Sequence, residues 1–236
     1  MSTRVRWLGH SCLLIESGGQ DALIDPYLTG NPKAAAGPEE VPADVILVSH
    51  GHEDHVGDAL AIARRTKAPV VTNYELGRWF EGQGIEEVRG MQHGGGMQVS
   101  PAFHVRLTVA FHGSTLPGGG YGGNPCGFLV TCSDGTKLYD AADTALFGDM
   151  KLIGEAGIDL AMLPIGDYFT MGPDDSIRAI KLIRPRFVLP IHYGTFPPIE
   201  QDARAWAARV MDETEAEPVV LEPGGWFAIP GSDGPK

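Results

Sequence analysis

The sequence has no long apolar run. Near its N-terminus it offers only residues 12–15, far short of the roughly 20 that a membrane span needs and too brief for the apolar part of a signal peptide. A cytoplasmic protein is therefore expected, with no membrane partner. Cysteine is scarce as well. Cys12, Cys126 and Cys132 cannot all pair with one another and stand in no C-x-x-C spacing, which argues against a disulfide framework and against a cysteine-held zinc or redox centre. Basic residues are outnumbered: Lys and Arg total 18 against 30 Asp and Glu, a formal charge of −12. Such a balance disfavours nucleic acid as a partner, since that surface must neutralise phosphates. Charge runs and low-complexity tracts are missing too. With 43% hydrophobic and 20% charged residues the chain reads as an ordered globular protein, and its length of 236 residues suits a single domain spanning 1–236.

What the chain does have is glycine and proline, 32 and 18 residues, which implies many turns and working loops. Short apolar runs at 5–8, 12–15, 22–24, 45–48 and 70–72 read as strands. Residues 57–65 and 74–81 suit helices. The segment 104–111 alternates strictly, placing Val105, Leu107, Val109 and Phe111 on one face of a strand. A glycine-rich loop follows at 113–125, long enough to read as a mobile segment facing a substrate. Strands resume at 128–131 and 137–139. The last third reads helix 147–155, strand 160–163, helix 174–183, strand 187–190, helix 199–211 and two closing strands. This order predicts an α+β protein, two sheets packed face to face with helices outside, in a four-layer αββα sandwich.

The chemistry concentrates in one place. After the run 45–48 and Ser49 stands His50-Gly51-His52-Glu53-Asp54-His55, immediately before a helix. One histidine on a turn is more simply a solvated loop residue or a helix cap. Three histidines and an aspartate within six residues form a ligand set. A single ion cannot take all four, because the adjacent side chains of Asp54 and His55 diverge. Two ions side by side can, with His50 and His52 for one and Asp54 and His55 for the other. Imidazole nitrogen and carboxylate oxygen suit Zn(II), with Mn(II) or Fe(II) as substitutes.

The block resembles the H-x-H-x-D-H signature of the metallo-β-lactamase superfamily, and the rest of that motif series follows in order. Leu23-Ile24-Asp25-Pro26 is similar to the first motif, His112 to the third, Asp143 in Tyr139-Asp140-Ala141-Ala142-Asp143-Thr144 to the fourth, and His192 in Pro190-Ile191-His192-Tyr193 to the fifth. More narrowly, Trp7-Leu8-Gly9-His10-Ser11-Cys12, Leu146-Phe147-Gly148-Asp149-Met150-Lys151 and Phe169-Thr170-Met171-Gly172-Pro173 resemble a family of uncharacterised metal-dependent hydrolases. Those proteins are relatives of L-ascorbate-6-phosphate lactonase. The resemblance implies a first metal held by His50, His52 and His112 and a second held by Asp54, His55 and His192, with Asp143 and a hydroxide spanning the two. Asp25 would buttress a ligand histidine. Two departures stand out. Ala142 occupies a position where glycine commonly precedes the bridging aspartate, a change expected to be harmless. Tyr168 stands where a histidine or another polar residue is expected, in a loop that should border the cleft.

His10, directly after the first strand, either faces the cleft as a proton-donating group or is a turn histidine. His93 and His104 match no motif and read as structural. Met97, Met150, Met162 and Met171 read as core. The glycines near Gly118 lack the strand-to-helix context of a nucleotide fingerprint. The function expected is hydrolysis of a small-molecule ester, lactone or phosphodiester. Two bound divalent ions would bring the net charge to about −8 and concentrate positive charge in the cleft, which admits an anionic substrate. A nuclease and a di-iron redox protein are the alternatives on the same scaffold, and both usually carry segments that this chain lacks. Self-association stays open.

Overall fold

The computed structural model describes residues 2–231 as two seven-stranded sheets packed face to face. In the first, β1 (Arg4–Gly9), β2 (Cys12–Ser17) and β3 (Gln20–Ile24) form an antiparallel meander. β4 (Val45–Leu47), β5 (Val70–Asn73) and β6 (Val88–Met91) extend it in parallel from β3. The second sheet repeats the plan. β7 (Gly96–Ser100), β8 (Phe103–Val109), β9 (Cys126–Cys132) and β10 (Lys137–Asp140) run antiparallel, and β11 (Leu160–Pro164), β12 (Phe187–Ile191) and β13 (Glu217–Pro218) continue in parallel. β14 (Trp226–Ala228) returns to the first sheet and pairs with β1. The topological likeness of the halves is plain in space, although their sequences show no clear repeat.

Alternating side chains divide the core into layers. Leu13 and Ile15 of β2 join Leu47, Phe103, Phe128 and Leu189 between the sheets. Cys12 and Leu14 point the other way, toward α2 (Ala59–Thr66) and α3 (Tyr74–Gly82). Behind the second sheet lie α4 (Met150–Gly154), α5 (Pro173–Ile183) and α6 (Ala203–Glu213), packed through Ile177, Ile180 and Trp206. Both faces of each sheet are covered, so the central strands are apolar throughout, as the αββα reading requires. Among the described residues, no helix is long and apolar enough to cross a membrane.

Several elements differ from the expectation. The helix read at 57–65 is α2, which starts at Ala59, and a separate single turn, α1 (Glu53–Val56), precedes it across a break at Gly57. That residue has φ +41°, and a Cβ there would lie 2.4 Å from the Pro26 carbonyl oxygen, so the chain turns on a glycine where it presses against the loop after β3. β8 stops at Val109, and Val109 and Phe111 are exposed rather than continuing the buried face. The last helix starts at Ala203, where the Asp202 side chain caps the backbone N–H groups of Arg204 and Ala205. β6 and β7 were not anticipated, because Arg89, Gly90, Gly96 and Gln98 leave no apolar alternation to read.

The layout fixes where a site can form. β1 and β3 are both antiparallel to β2, and β8 and β10 are both antiparallel to β9. The carboxyl ends of β1, β3 and β4 therefore share one edge of the first sheet, and those of β8, β10 and β12 share one edge of the second. In sheets of this kind, loops beyond the carboxyl ends carry ligand sites.

Candidate metal centre

Every candidate site residue stands just past one of those strand ends or in the helix turn that follows. His10 lies in the turn after β1, Asp25 after β3 and His50 and His52 after β4, while Asp54 and His55 sit in the first turn of α1. From the other sheet come His112 after β8, Asp143 after β10 and His192 after β12. Their side-chain donor atoms converge into three overlapping groups, in each of which one atom per residue lies within 4.8 Å of the others: His50, His52 and His112; His50, His55 and Asp143; and His10, Asp54, His55 and His192.

Asp143 Oδ2 lies 3.1 Å from His192 Nε2, 3.3 Å from His55 Nε2 and 3.4 Å from His112 Nε2. Across the cleft His50 Nε2 is 3.0 Å from His52 Nδ1. The hydrogen bonds behind these atoms show which nitrogens face inward as bare lone pairs. Asp25 Oδ2 is 2.6 Å from Ser49 Oγ and 2.7 Å from His55 Nδ1, so both the hydroxyl and the ring N–H donate to it. With its proton committed, Ser49 Oγ accepts from His50 Nδ1 at 2.9 Å. A neutral imidazole carries one N–H. His50 Nε2 and His55 Nε2 are thereby left as acceptors, and His55 Nε2 and Asp143 Oδ1 are buried without a hydrogen-bond partner. Orphaned buried acceptors that face one another are costly unless a cation lies between them. The donor set is nitrogen and carboxylate oxygen, so these residues fit divalent transition metals.

Electrostatics agree. Burial pushes the His50 ring well below the ordinary imidazole range, which keeps it neutral as a ligand must be. Burial also acts on His55, but the carboxylates of Asp143 and Asp25 on its two sides outweigh it and hold its pKa well above the usual value. Against its own burial, Asp143 is held well below the carboxylate range by His192 and His55. Without a cation that pair favours a proton on His55 Nε2 facing Asp143, the place that a metal would take. The His10 ring, by contrast, is lowered to about 4 by burial.

The converging histidines and carboxylates are those that the sequence singles out, whereas their supports are not. Ser49 links His50 to Asp25, and its Oγ hydrogen bond was foreshadowed only by its place one residue before His50. Thr195 Oγ1 meets His10 Nδ1 at 2.9 Å, a pairing across 185 residues for which the sequence holds no signal. Ser114 Oγ accepts from Gly51 N and docks the base of the 113–125 loop on the histidine motif. The same loop closes through a bridge between Thr115 and Tyr121. Asp140 is fully buried, with its carboxyl pushed up to about 8 by burial and by Asp25.

The remaining features fall around this centre. Gly166 packs so closely on His192 that a Cβ would lie 2.2 Å from the His192 carbonyl oxygen, and Met171 N donates to Thr144 O, so the loop bearing Tyr168 borders the cleft. Tyr168 itself is exposed, with φ +54°. Ala142 holds a left-handed backbone, φ +51°, at a cost of about 1–2 kcal/mol relative to glycine, so the departure is less innocent than its size implies. His10, Asp25 and His192 share that conformation, and backbone strain of this kind gathers at functional sites. His93 and His104 stay apart: the first donates to Pro125 O, and the second lies on β8 opposite Thr131.

Comparison with known proteins places this arrangement. Residues 4–192 match the model of the beta-lactamase superfamily domain. A UPF0173 metal-dependent hydrolase of Thermus thermophilus is 48% identical over 220 residues, covering 93% of this chain and 96% of that one. Another from Symbiobacterium thermophilum is 47% identical over 230 residues, covering 96% and 100%. Among solved structures, Igni18, a metallo hydrolase from the hyperthermophilic archaeon Ignicoccus hospitalis, matches with a TM-score of 0.88 at 35% identity and covers 96% of this chain and 98% of that one.

Proposed function

This chain is a metal-dependent hydrolase of the metallo-β-lactamase superfamily, a member of its UPF0173 family, and from that premise we propose that it holds two divalent ions to hydrolyse a small-molecule ester, lactone or phosphodiester. His50, His52 and His112 would hold the first ion and Asp54, His55 and His192 the second. The observation that carries this reading is the single oxygen Asp143 Oδ2, which meets His112 of the first set and His55 and His192 of the second within 3.1–3.4 Å. A carboxylate placed between two ligand sets would serve both as a shared ligand. When bound, the pair of ions would polarise the bond under attack and lower the pKa of a water molecule toward about 7. Zn(II) suits the donors best, with Mn(II) or Fe(II) as substitutes.

The chain's own residues supply order. Asp25 accepts from His55 Nδ1 and, through Ser49, fixes the His50 tautomer, so that both rings present Nε2 to the cleft. Thr144 Oγ1 accepts from Phe111 N, which sets the strand end that carries His112. No thiol competes as a nucleophile: all three cysteines are buried, and burial pushes each thiol up, Cys132 to about 11 and the other two well above their usual value. The formal charge of −12 favours a small substrate over a polyanion.

The test is metal content joined to turnover. The purified protein is expected to carry close to two ions, lose turnover against a panel of lactones, esters and phosphodiesters on chelation, and regain it with Zn(II) or Mn(II). Asp143→Ala is expected to weaken both sites. Two tightly held ions in that variant would show that Asp143 is not shared, and turnover by metal-free protein would overturn the mechanism.

A further inference from the structure

We propose that His10 is a direct ligand of the second metal, alongside Asp54, His55 and His192, and not the proton donor that its place in the sequence brings to mind. The inference rests on the two-metal reading above.

The donor atoms of His10, Asp54, His55 and His192 all lie within 4.8 Å of one another, as those of the other candidate ligands do in their groups. The side-chain hydrogen bonds that orient the site's imidazoles and their supports include short ones: 2.6 Å for Ser49 to Asp25, 2.7 Å for His55 to Asp25, 2.9 Å for His50 to Ser49 and 2.9 Å for His10 Nδ1 to Thr195. Contacts between atoms assigned to the ions are longer: 3.0 Å for His50 to His52 and 3.1, 3.3 and 3.4 Å from Asp143 to His192, His55 and His112. His10 Nε2 stands 3.2 Å from Asp54 Oδ2, at the long end of hydrogen-bond range and within the spread of the Asp143 contacts. A hydrogen bond from an imidazole to a carboxylate shortens to about 2.7–2.9 Å when charge assists it, as the His55 to Asp25 bond does. Two donor atoms bound to one ion at about 2.0–2.1 Å instead stand about 3.3 Å apart in a tetrahedral site and about 2.9 Å in an octahedral one.

The ring is also built as a ligand is built. Thr195 takes Nδ1, so Nε2 is the one nitrogen of His10 that enters the group with Asp54, His55 and His192. His10 sits against the His192 ring at 4.3 Å between centroids and is flanked by Tyr27 and Phe196. Its backbone has φ +57° and is clamped by two donors on one carbonyl oxygen, Trp7 Nε1 at 2.8 Å and the backbone N–H of His192 at 3.1 Å. The second donor ties His10 to a residue of the second site. A proton donor must exchange its proton with water between turnovers, and the His10 side chain is fully buried while that of Asp54 is 31% exposed.

Two measurements decide. In the Co(II)-substituted wild-type protein each coordinated imidazole that keeps its N–H gives one exchangeable, hyperfine-shifted proton resonance, and six are expected, from His10, His50, His52, His55, His112 and His192. His10→Ala, titrated with Zn(II) against a competing chelator, is expected to lose more than about 100-fold in affinity for the second equivalent while the first stays unchanged. That exceeds the 10- to 100-fold loss typical of removing a hydrogen-bond partner from a ligand. Five resonances with two ions bound, or a second equivalent held by His10→Ala as tightly as by wild type, would overturn this assignment alone. A wild-type protein that binds one ion would overturn the two-metal reading and this assignment with it.

Discussion

Asp25 holds two histidines of the candidate metal centre through one carboxylate, directly at His55 and through Ser49 at His50. Its other oxygen accepts from Ser49 N, and the side chain has no exposure to water. Asp25→Ala removes all three bonds and leaves two rings free to turn. Metal affinity is expected to fall by about 10- to 100-fold, read by chelator competition, while the circular dichroism of the fold persists. Unchanged affinity would mean that the rings are held by packing alone. At this scale most of the site was legible: His50, His52, Asp54 and His55 are close enough in the chain to declare themselves, and Asp25, His112, Asp143 and His192 follow a known order. Ser49 and Thr195 were not legible, because a hydroxyl has many ordinary uses and its partner here lies 24 or 185 residues away.

Among the elements, the break between α1 and α2 matters most. It lets a single turn of helix present Asp54 and His55 before the chain reverses against Pro26 at Gly57. Gly57→Ala meets both a left-handed backbone and a carbonyl oxygen 2.4 Å from the new methyl. It is expected to cost more than about 1–2 kcal/mol, seen as a fall in Tm, and to weaken metal binding at the proposed second site. Gly82→Ala, at the end of α3 with open space around it, should lie within about 0.5 kcal/mol of wild type. Equal effects would show that the turn at Gly57 is not constrained. The central strands were readable for the same reason that they fold, since a strand covered on both faces is a short, nearly continuous apolar run. The run 104–111 misled at its end, because β8 must stop at Val109 to release His112 toward the cleft, and Val109 and Phe111 become exposed. That demand comes from the site and leaves no mark on hydropathy.

For the molecule as a whole, the two sheets repeat one plan, antiparallel strands followed by parallel ones, and the ligand edge of each faces the other across the seam. The αββα layering was legible from the order of strands and helices, whereas the likeness of the halves was not, since it lies in topology and not in residues. With His50, His52, Asp54 and His55 from one sheet and His112, Asp143 and His192 from the other, a two-metal site would bind the halves together as it forms. The most direct measurement is a stoichiometric titration of the metal-free protein with Zn(II) or Mn(II), with hydrolysis of the best substrate of the panel followed at each addition. The account expects turnover to be absent at the start and to rise to its plateau only as the second equivalent per chain is bound; full activity at one equivalent, or before any metal is added, would contradict it.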